Sequence, residues 1–93
     1  MILSFRCKET EKVWHRRFSK KFPAALQVRA RRKLIALHIS AALNDLRRPP
    51  SNHLEALKKD RQGQWSIRIN KQWRVCFVWA EGNAHDVEIV DYH

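Results

Sequence analysis

Large apolar residues fall at every second position from Trp65 to Ile69, where Trp65, Ile67 and Ile69 alternate with Ser66 and Arg68. The same period returns from Trp73 to Trp79: Trp73, Val75, Phe77 and Trp79 alternate with Arg74, Cys76 and Val78. A period of two belongs to a strand with one buried face, and the polar break Asn70-Lys71-Gln72 joins the two runs as a β-hairpin. The pattern also sets the register. A loop of Asn70 and Lys71 alone would place Ile69 opposite Gln72 and Ile67 opposite Arg74. A three-residue loop pairs Ile69 with Trp73, Ile67 with Val75 and Trp65 with Phe77, gathering the apolar residues on one side; a slip of one residue turns them to solvent. No glycine occupies the loop, so Asn70 or a neighbour is expected to adopt left-handed geometry. In this register Arg68 faces Arg74. Like charges directly opposite each other cost about 0.2–1 kcal/mol. The pair is therefore either a solvated coincidence or a fork for an anion such as phosphate.

Ahead of the hairpin the period changes. Met1 to Cys7, with Ile2, Leu3 and Phe5, reads as an opening strand. Thr10 is expected to cap a helix from Glu11 to Phe22 with Val13, Trp14, Arg17, Phe18 and Phe22 as its apolar stripe. Pro23 ends that helix and suits the first turn of the next, which runs from Ala24 to His38 with Leu26, Ala30, Lys33 or Leu34, and Leu37 as its buried stripe. Ser40 is expected to cap a further short turn, AALNDL. Pro49 and Pro50 make Arg47 to Leu54 a loop. Glu55 to Lys59 enters the sheet or skirts its edge, Asp60 to Gly63 is a turn, and Glu81-Gly82-Asn83 is another, ahead of a last strand from His85 to Val90. The order is strand, two helices, then strands. It predicts one α+β domain over residues 1–93, with a two-helix hairpin on one face of a mixed sheet. Its last three strands would form an antiparallel meander, and its first would return after the helical crossover.

Composition narrows the partners. The 93 residues carry a net charge of +10, from 19 Lys and Arg against 9 Asp and Glu. A domain this basic meets nucleic acid, an acidic protein or a membrane surface. No apolar run approaches the ~20 residues of a membrane span. The opening segment is too short to be a signal peptide, so a cytoplasmic protein with Cys7 and Cys76 as reduced thiols is expected. There is no glycine-rich phosphate loop, no HExxH and no GxSxG. His15, His38, His53, His85 and His93 are scattered without ligand spacing, so no metal or other cofactor is expected.

What is present is a set of cations and a terminal Tyr-His pair. RNA carries its own nucleophile, the 2′-hydroxyl. Cleaving it without a metal takes a base near that oxygen, cations for the pentavalent phosphorane, and an acid for the leaving 5′-oxygen. His93 can serve as acid or base, Tyr92 can stack on a base or assist proton transfer, Arg68 and Arg74 can hold the phosphate, and Lys58 can join them. Each also has a plainer reading: a frayed terminal His, a packing Tyr, a polar Asp91 that at most orients a neighbouring cation. Arg29, Arg31, Arg32 and Lys33 on the second helix, with Arg47, Arg48 and Lys71 in loops, are either solvated or grip RNA phosphates.

The segment LEALKKDRQGQWSIRINKQWRVCFVW and the ending VEIVDYH resemble the HigB branch of the RelE/ParE toxin superfamily, and the element order extends the resemblance over the whole chain. It implies a toxin of a type II pair: a ribosome-dependent, metal-independent mRNA endonuclease acting in the A site. A HigA-like helix-turn-helix antitoxin would silence it, and it would meet operator DNA only through that antitoxin. By position it implies that Lys58, Arg68, Arg74, Asp91, Tyr92 and His93 are catalytic. Some members place a histidine where this chain has Glu55, leaving His53, Glu55, Lys58 and His93 as alternatives for the base. Two other readings are a gyrase-poisoning toxin of the same superfamily and a basic RNA- or ribosome-binding module that displays exposed Trp side chains.

Overall fold

The computed structural model describes residues 1–92; His93 lies outside the described residues. Two helices, α1 (Lys8–Trp14) and α2 (Ala24–Ile39), precede the strands β1 (Glu55–Ala56), β2 (Trp65–Arg68), β3 (Trp73–Ala80) and β4 (Asn83–Asp91). The strands lie in the order β1-β2-β3-β4, each antiparallel to its neighbour.

The hairpin register is the one the apolar alternation requires: Trp65 pairs with Phe77, Ile67 with Val75, and Arg68 with Arg74. Its loop closes differently from expectation, since none of Asn70, Lys71 and Gln72 adopts a positive φ. The Asn70 carboxamide oxygen instead accepts the backbone N–H of Gln72 (2.8 Å) and of Trp73 (2.9 Å), an Asx turn that replaces left-handed backbone. The turn between β3 and β4 does use it: Glu81 and Gly82 both have positive φ, 53° and 76°, as a two-residue hairpin loop demands.

Three local expectations are corrected. The opening segment is not a strand but touches β4 through two isolated parallel bridges, Ile2 to Ala84 and Phe5 to Val87. Between them Asp86 sits at φ 53° and breaks the ladder. The first helix starts and ends earlier than predicted. Thr10 lies inside it, fully buried, and its hydroxyl accepts the N–H of Ile89 (3.0 Å), tying α1 to β4. Arg16, at φ 61°, ends the helix: its N–H donates to Val13 O (3.1 Å), and that of Arg17 to Lys12 O (2.8 Å). This is a Schellman stop with arginine where glycine is usual. Finally, Ser40 closes α2, donating its hydroxyl to Ala36 O (2.8 Å). The short 3₁₀ turn Leu43–Arg47 is capped by Asp45, whose carboxylate accepts the N–H groups of Ala41 and Ala42 at 3.0 Å each.

The core forms between the helices and one face of the sheet. Leu26, Ala30, Leu34 and Leu37 of α2 meet Ile67, Ile69, Val75, Phe77, Val87 and Ile89. Fully burying side chains of this size contributes about 1.5–3 kcal/mol each. Trp14, Trp65, Trp73 and Trp79 are all part-buried against this core, so the exposed tryptophans of a stacking module are not there. Trp73 meets the edge of Phe22 at 5.6 Å between centroids. Phe18, expected in the core, is 67% exposed because α1 ends before it. Both cysteines are free: Cys76 is buried in β3, and Cys7 lies at the start of α1 rather than in a strand.

Candidate functional site

Alternation sends Ser66, Arg68, Arg74 and Cys76 to the face of the hairpin away from the helices. A carboxamide organises the loop beside them. Asn52 is fully buried. Its amide nitrogen donates to the carbonyls of Leu46 and Arg48, each at 3.1 Å. Its oxygen accepts the Lys33 ammonium. Burial, then the neighbouring Arg29, pushes the Lys33 pKa down from the usual lysine value.

With Asn52 fixed, His53 follows in left-handed conformation at φ 44°, and its carbonyl accepts a hydrogen bond from Arg74 Nη2. Arg74 Nε donates to the Ser66 hydroxyl (2.7 Å), and Nη2 stands 3.7 Å from the Glu55 carboxylate. The Arg74 side chain is only 12% exposed, and its guanidinium lies 5.7 Å from the centre of the Tyr92 ring. Opposite it, Arg68 Nε donates to Asn70 O (3.0 Å). The Tyr92 N–H donates to Gln72 O (2.6 Å) and the Gln72 amide donates to Asp91 (3.1 Å), binding the end of β4 to the hairpin loop.

Together His53, Arg68, Asn70, Lys71, Arg74 and Tyr92 line an open cleft of about 450 Å³. Its rim combines two guanidiniums, one ammonium, an imidazole and a phenol, with Glu55 beside Arg74. That chemistry suits a phosphodiester flanked by a base: bidentate cations for the phosphate oxygens, a ring to stack on, and a group that can move a proton.

Not every expected residue joins it. Lys58 lines a separate cleft with Gln62, Gln64 and Trp65. Asp91 points to Gln72 at the cleft's edge, and His93 lies outside the described residues. Of the basic run on α2, Arg29 and Arg32 are exposed, whereas Lys33 is half-buried on Asn52 and is not available as a surface phosphate contact. Arg31 donates to Trp14 O (3.2 Å) and lies 5.7 Å over the Trp14 ring. Arg47 and Arg48 are exposed in the loop, with Arg47 bonded to Asn44 (2.9 Å). The sequence reading missed Asn52 and Ser66 as supports of Arg74. Only Ser66 left a trace there, as the small polar residue beside Arg68 on the outward face of its strand.

Comparison with known proteins places the chain. The model of HigB-like toxins, described as RelE-like toxins of the type II toxin–antitoxin system HigB, matches residues 3–93. "Toxin HigB-1" of Vibrio cholerae is 42% identical over 62 residues, 67% of this chain and 65% of that protein. "Endoribonuclease HigB" of Proteus vulgaris is 31% identical over 93 residues, the full length of both. Two solved structures share the fold. YoeB in its complex with YefM from Staphylococcus aureus has a TM-score of 0.61 at 16% identity, covering 100% of this chain and 98% of that one. YafQ from Escherichia coli scores 0.60 at 11% identity, covering 98% and 93%. The chain belongs to the HigB-like family of RelE-like toxins, the toxin components of type II toxin–antitoxin systems.

Proposed function

We propose that this toxin is a metal-independent endoribonuclease that cleaves messenger RNA in the ribosomal A site and so arrests translation. The observation that carries the reading is the cleft in which Arg68 stands opposite Arg74, with Tyr92 under the Arg74 guanidinium and His53 beside it. The name of the Proteus vulgaris relative, an endoribonuclease over its full length, supports the same chemistry.

In this mechanism Arg74, held rigid by Ser66 and the His53 carbonyl, and Arg68 grip the scissile phosphate. Tyr92 stacks on an adjacent base. The 2′-hydroxyl loses its proton to a base and attacks phosphorus; the 5′-oxygen leaves with a proton, giving a 2′,3′-cyclic phosphate and a 5′-hydroxyl. Holding the reacting groups in register on the ribosome supplies much of the rate, and the two guanidiniums offset charge growing on the phosphorane. His53 and His93 are the proton carriers of this scheme. Glu55 is engaged with Arg74 and Lys58 faces another cleft, which moves both to supporting roles, while Asp91 positions the chain end. Arg29, Arg47, Arg48 and Lys71 grip ribosomal RNA by phosphate contacts that weaken steeply with salt. The antitoxin is a helix-turn-helix, HigA-like protein through which alone the toxin meets operator DNA, and the pair acts in the cytoplasm.

The test is primer extension on a defined message bound to purified ribosomes. New 3′ ends at A-site codons, absent with naked RNA and lost in His93→Ala, are expected. Uncut message with wild-type protein overturns the reading, and a supercoiling assay with gyrase then decides whether the toxin acts there instead.

A further inference from the structure

The basic run on α2 is not uniform. Arg29 and Arg32 are exposed, whereas Lys33 is half-buried and its ammonium donates to the Asn52 carboxamide oxygen. Burial and the neighbouring Arg29 both work against a charge at that place. A cation left there without a partner would cost stability. Its partner is fully buried and stands one residue before His53, on the rim of the cleft.

Each step from Lys33 to the cleft is a defined bond. The Asn52 amide nitrogen donates to Leu46 O and Arg48 O, which folds this stretch of chain on itself. Lys33 adds a tie from outside it, from a helix 19 residues earlier whose Leu34 and Leu37 lie in the core. His53 follows in left-handed conformation, φ 44° and ψ 55°, and its N–H donates to Pro50 O (3.1 Å). Its carbonyl accepts Arg74 Nη2. The Ser66 hydroxyl accepts Arg74 Nε (2.7 Å). One anchor of the guanidinium therefore comes from the sheet, and the other from a loop tied to α2.

We infer that Lys33 is a positioning residue for cleavage: through Asn52 and the His53 carbonyl, its ammonium sets the direction of the Arg74 guanidinium in the phosphate cleft. Lys33 touches neither message nor ribosome in this role. The inference rests on the reading of Arg74 as a phosphate ligand, although the path of bonds does not. A donor aimed at a developing phosphorane must be aligned in advance, and a misplacement of about 1 Å can cost about 10²-fold in rate. A lysine that gripped ribosomal RNA would act on binding and its salt dependence instead.

The experiment compares Lys33→Met, which keeps the length of the side chain without charge or donor, with Lys33→Arg, which still offers Asn52 a cationic donor. Single-turnover cleavage over a range of programmed-ribosome concentrations separates maximal rate from half-saturation. Lys33→Met should lower the maximal rate about 10–100-fold, with half-saturation within about twofold of wild type. Lys33→Arg should stay within about fivefold of wild type. In an Arg74→Ala background Lys33→Met should add less than about twofold, because the group it acts through is gone. Weaker half-saturation at an unchanged maximal rate makes Lys33 a ribosome contact and overturns the inference, as does a full further loss in the Arg74→Ala background. Thermal unfolding sets a temperature at which every variant is folded. Should Lys33→Met not fold, Lys33→Gln takes its place, with smaller losses in the same direction.

A second measurement needs no cleavage. The ¹⁵N relaxation of the Arg74 Nε–H, assigned by its absence in Arg74→Lys, should give an order parameter near about 0.85 in wild type and below about 0.6 in Lys33→Met. Lys33→Arg should restore it. An unchanged order parameter overturns the inference even if cleavage falls. Uncut message with wild-type protein overturns the nuclease reading alone, and the relaxation measurement still decides whether Lys33 holds Arg74.

Discussion

Arg74 and Arg32 carry the same group on the same small protein but are held in different ways. Arg74 is 12% exposed and hydrogen-bonded to a side-chain hydroxyl and a backbone carbonyl, above an aromatic ring. Arg32 is exposed on the rim of an apolar groove. Immobilising an arginine costs side-chain entropy of up to about 2 kcal/mol. In the cleft that cost secures a fixed fork, which chemistry on a phosphate needs. At the groove the side chain stays free to adapt, and attraction over distance suffices. The lesson is that a net charge divides into working surfaces by how its cations are tied down, not by how many there are.

The comparison is tested hardest at Arg74 itself. Arg74→Ala should lower ribosome-dependent cleavage by about 10²–10³-fold, the effect of deleting one aligned donor to a developing anion. Antitoxin affinity should stay within about twofold. Arg74→Lys should recover little, because an ammonium cannot span Ser66 and the His53 carbonyl while also meeting phosphate. Single-turnover cleavage on programmed ribosomes measures both. If Arg32→Glu lowers cleavage as far as Arg74→Ala does, the division into two surfaces is wrong.

Next in size is Asn52, which supports the cleft without entering it. Asn52→Ala leaves the Lys33 ammonium and the carbonyls of Leu46 and Arg48 without their partner. Stranding buried polar groups in this way costs about 2–3 kcal/mol, or roughly 10–20 °C in Tm for a domain of this size. Calorimetry measures that loss. Cleavage by the variant, assayed below its new Tm, should also fall, because the His53 carbonyl no longer holds Arg74. Full activity in a destabilised Asn52→Ala protein would separate the loop's role in the fold from any role in the site.

How much of this was legible in the sequence follows from which interactions are local. The hairpin register could be read because alternation on a half-buried strand is a constraint within a dozen residues. It delivered the Arg68–Arg74 pair directly. The end of α1 could not, because the stop is a left-handed Arg16 and no glycine marks it. Thr10 looked like a cap because its true partner, the N–H of Ile89, is at the far end of the chain. The site divides in the same way. Arg68, Arg74 and Tyr92 come from the hairpin and the chain end and were read together; Lys71, read with the loop cations, joins them in the cleft. Lys58, near them in sequence, turns into another cleft. Lys33 was read as part of a solvated basic run but is half-buried on Asn52, a residue from a proline loop that gave no periodic signal.

The smallest effect concerns the segment after α1. The Ser19 hydroxyl, then Lys12, holds the Glu9 carboxyl below its ordinary value of 4.5. Between that lowered pKa and the ordinary one, the unfolded chain binds a proton that the folded chain does not. Stability therefore rises with pH through this window: the contribution is complete above it and is lost as pH falls through the folded-state pKa. Glu9→Gln keeps an acceptor for Ser19 but cannot titrate. Its denaturation midpoint, followed from about pH 6 to about pH 3, should fall less steeply than that of wild type. Parallel acid sensitivity of the two midpoints would mean that the Ser19–Glu9 bond does not set this pH dependence.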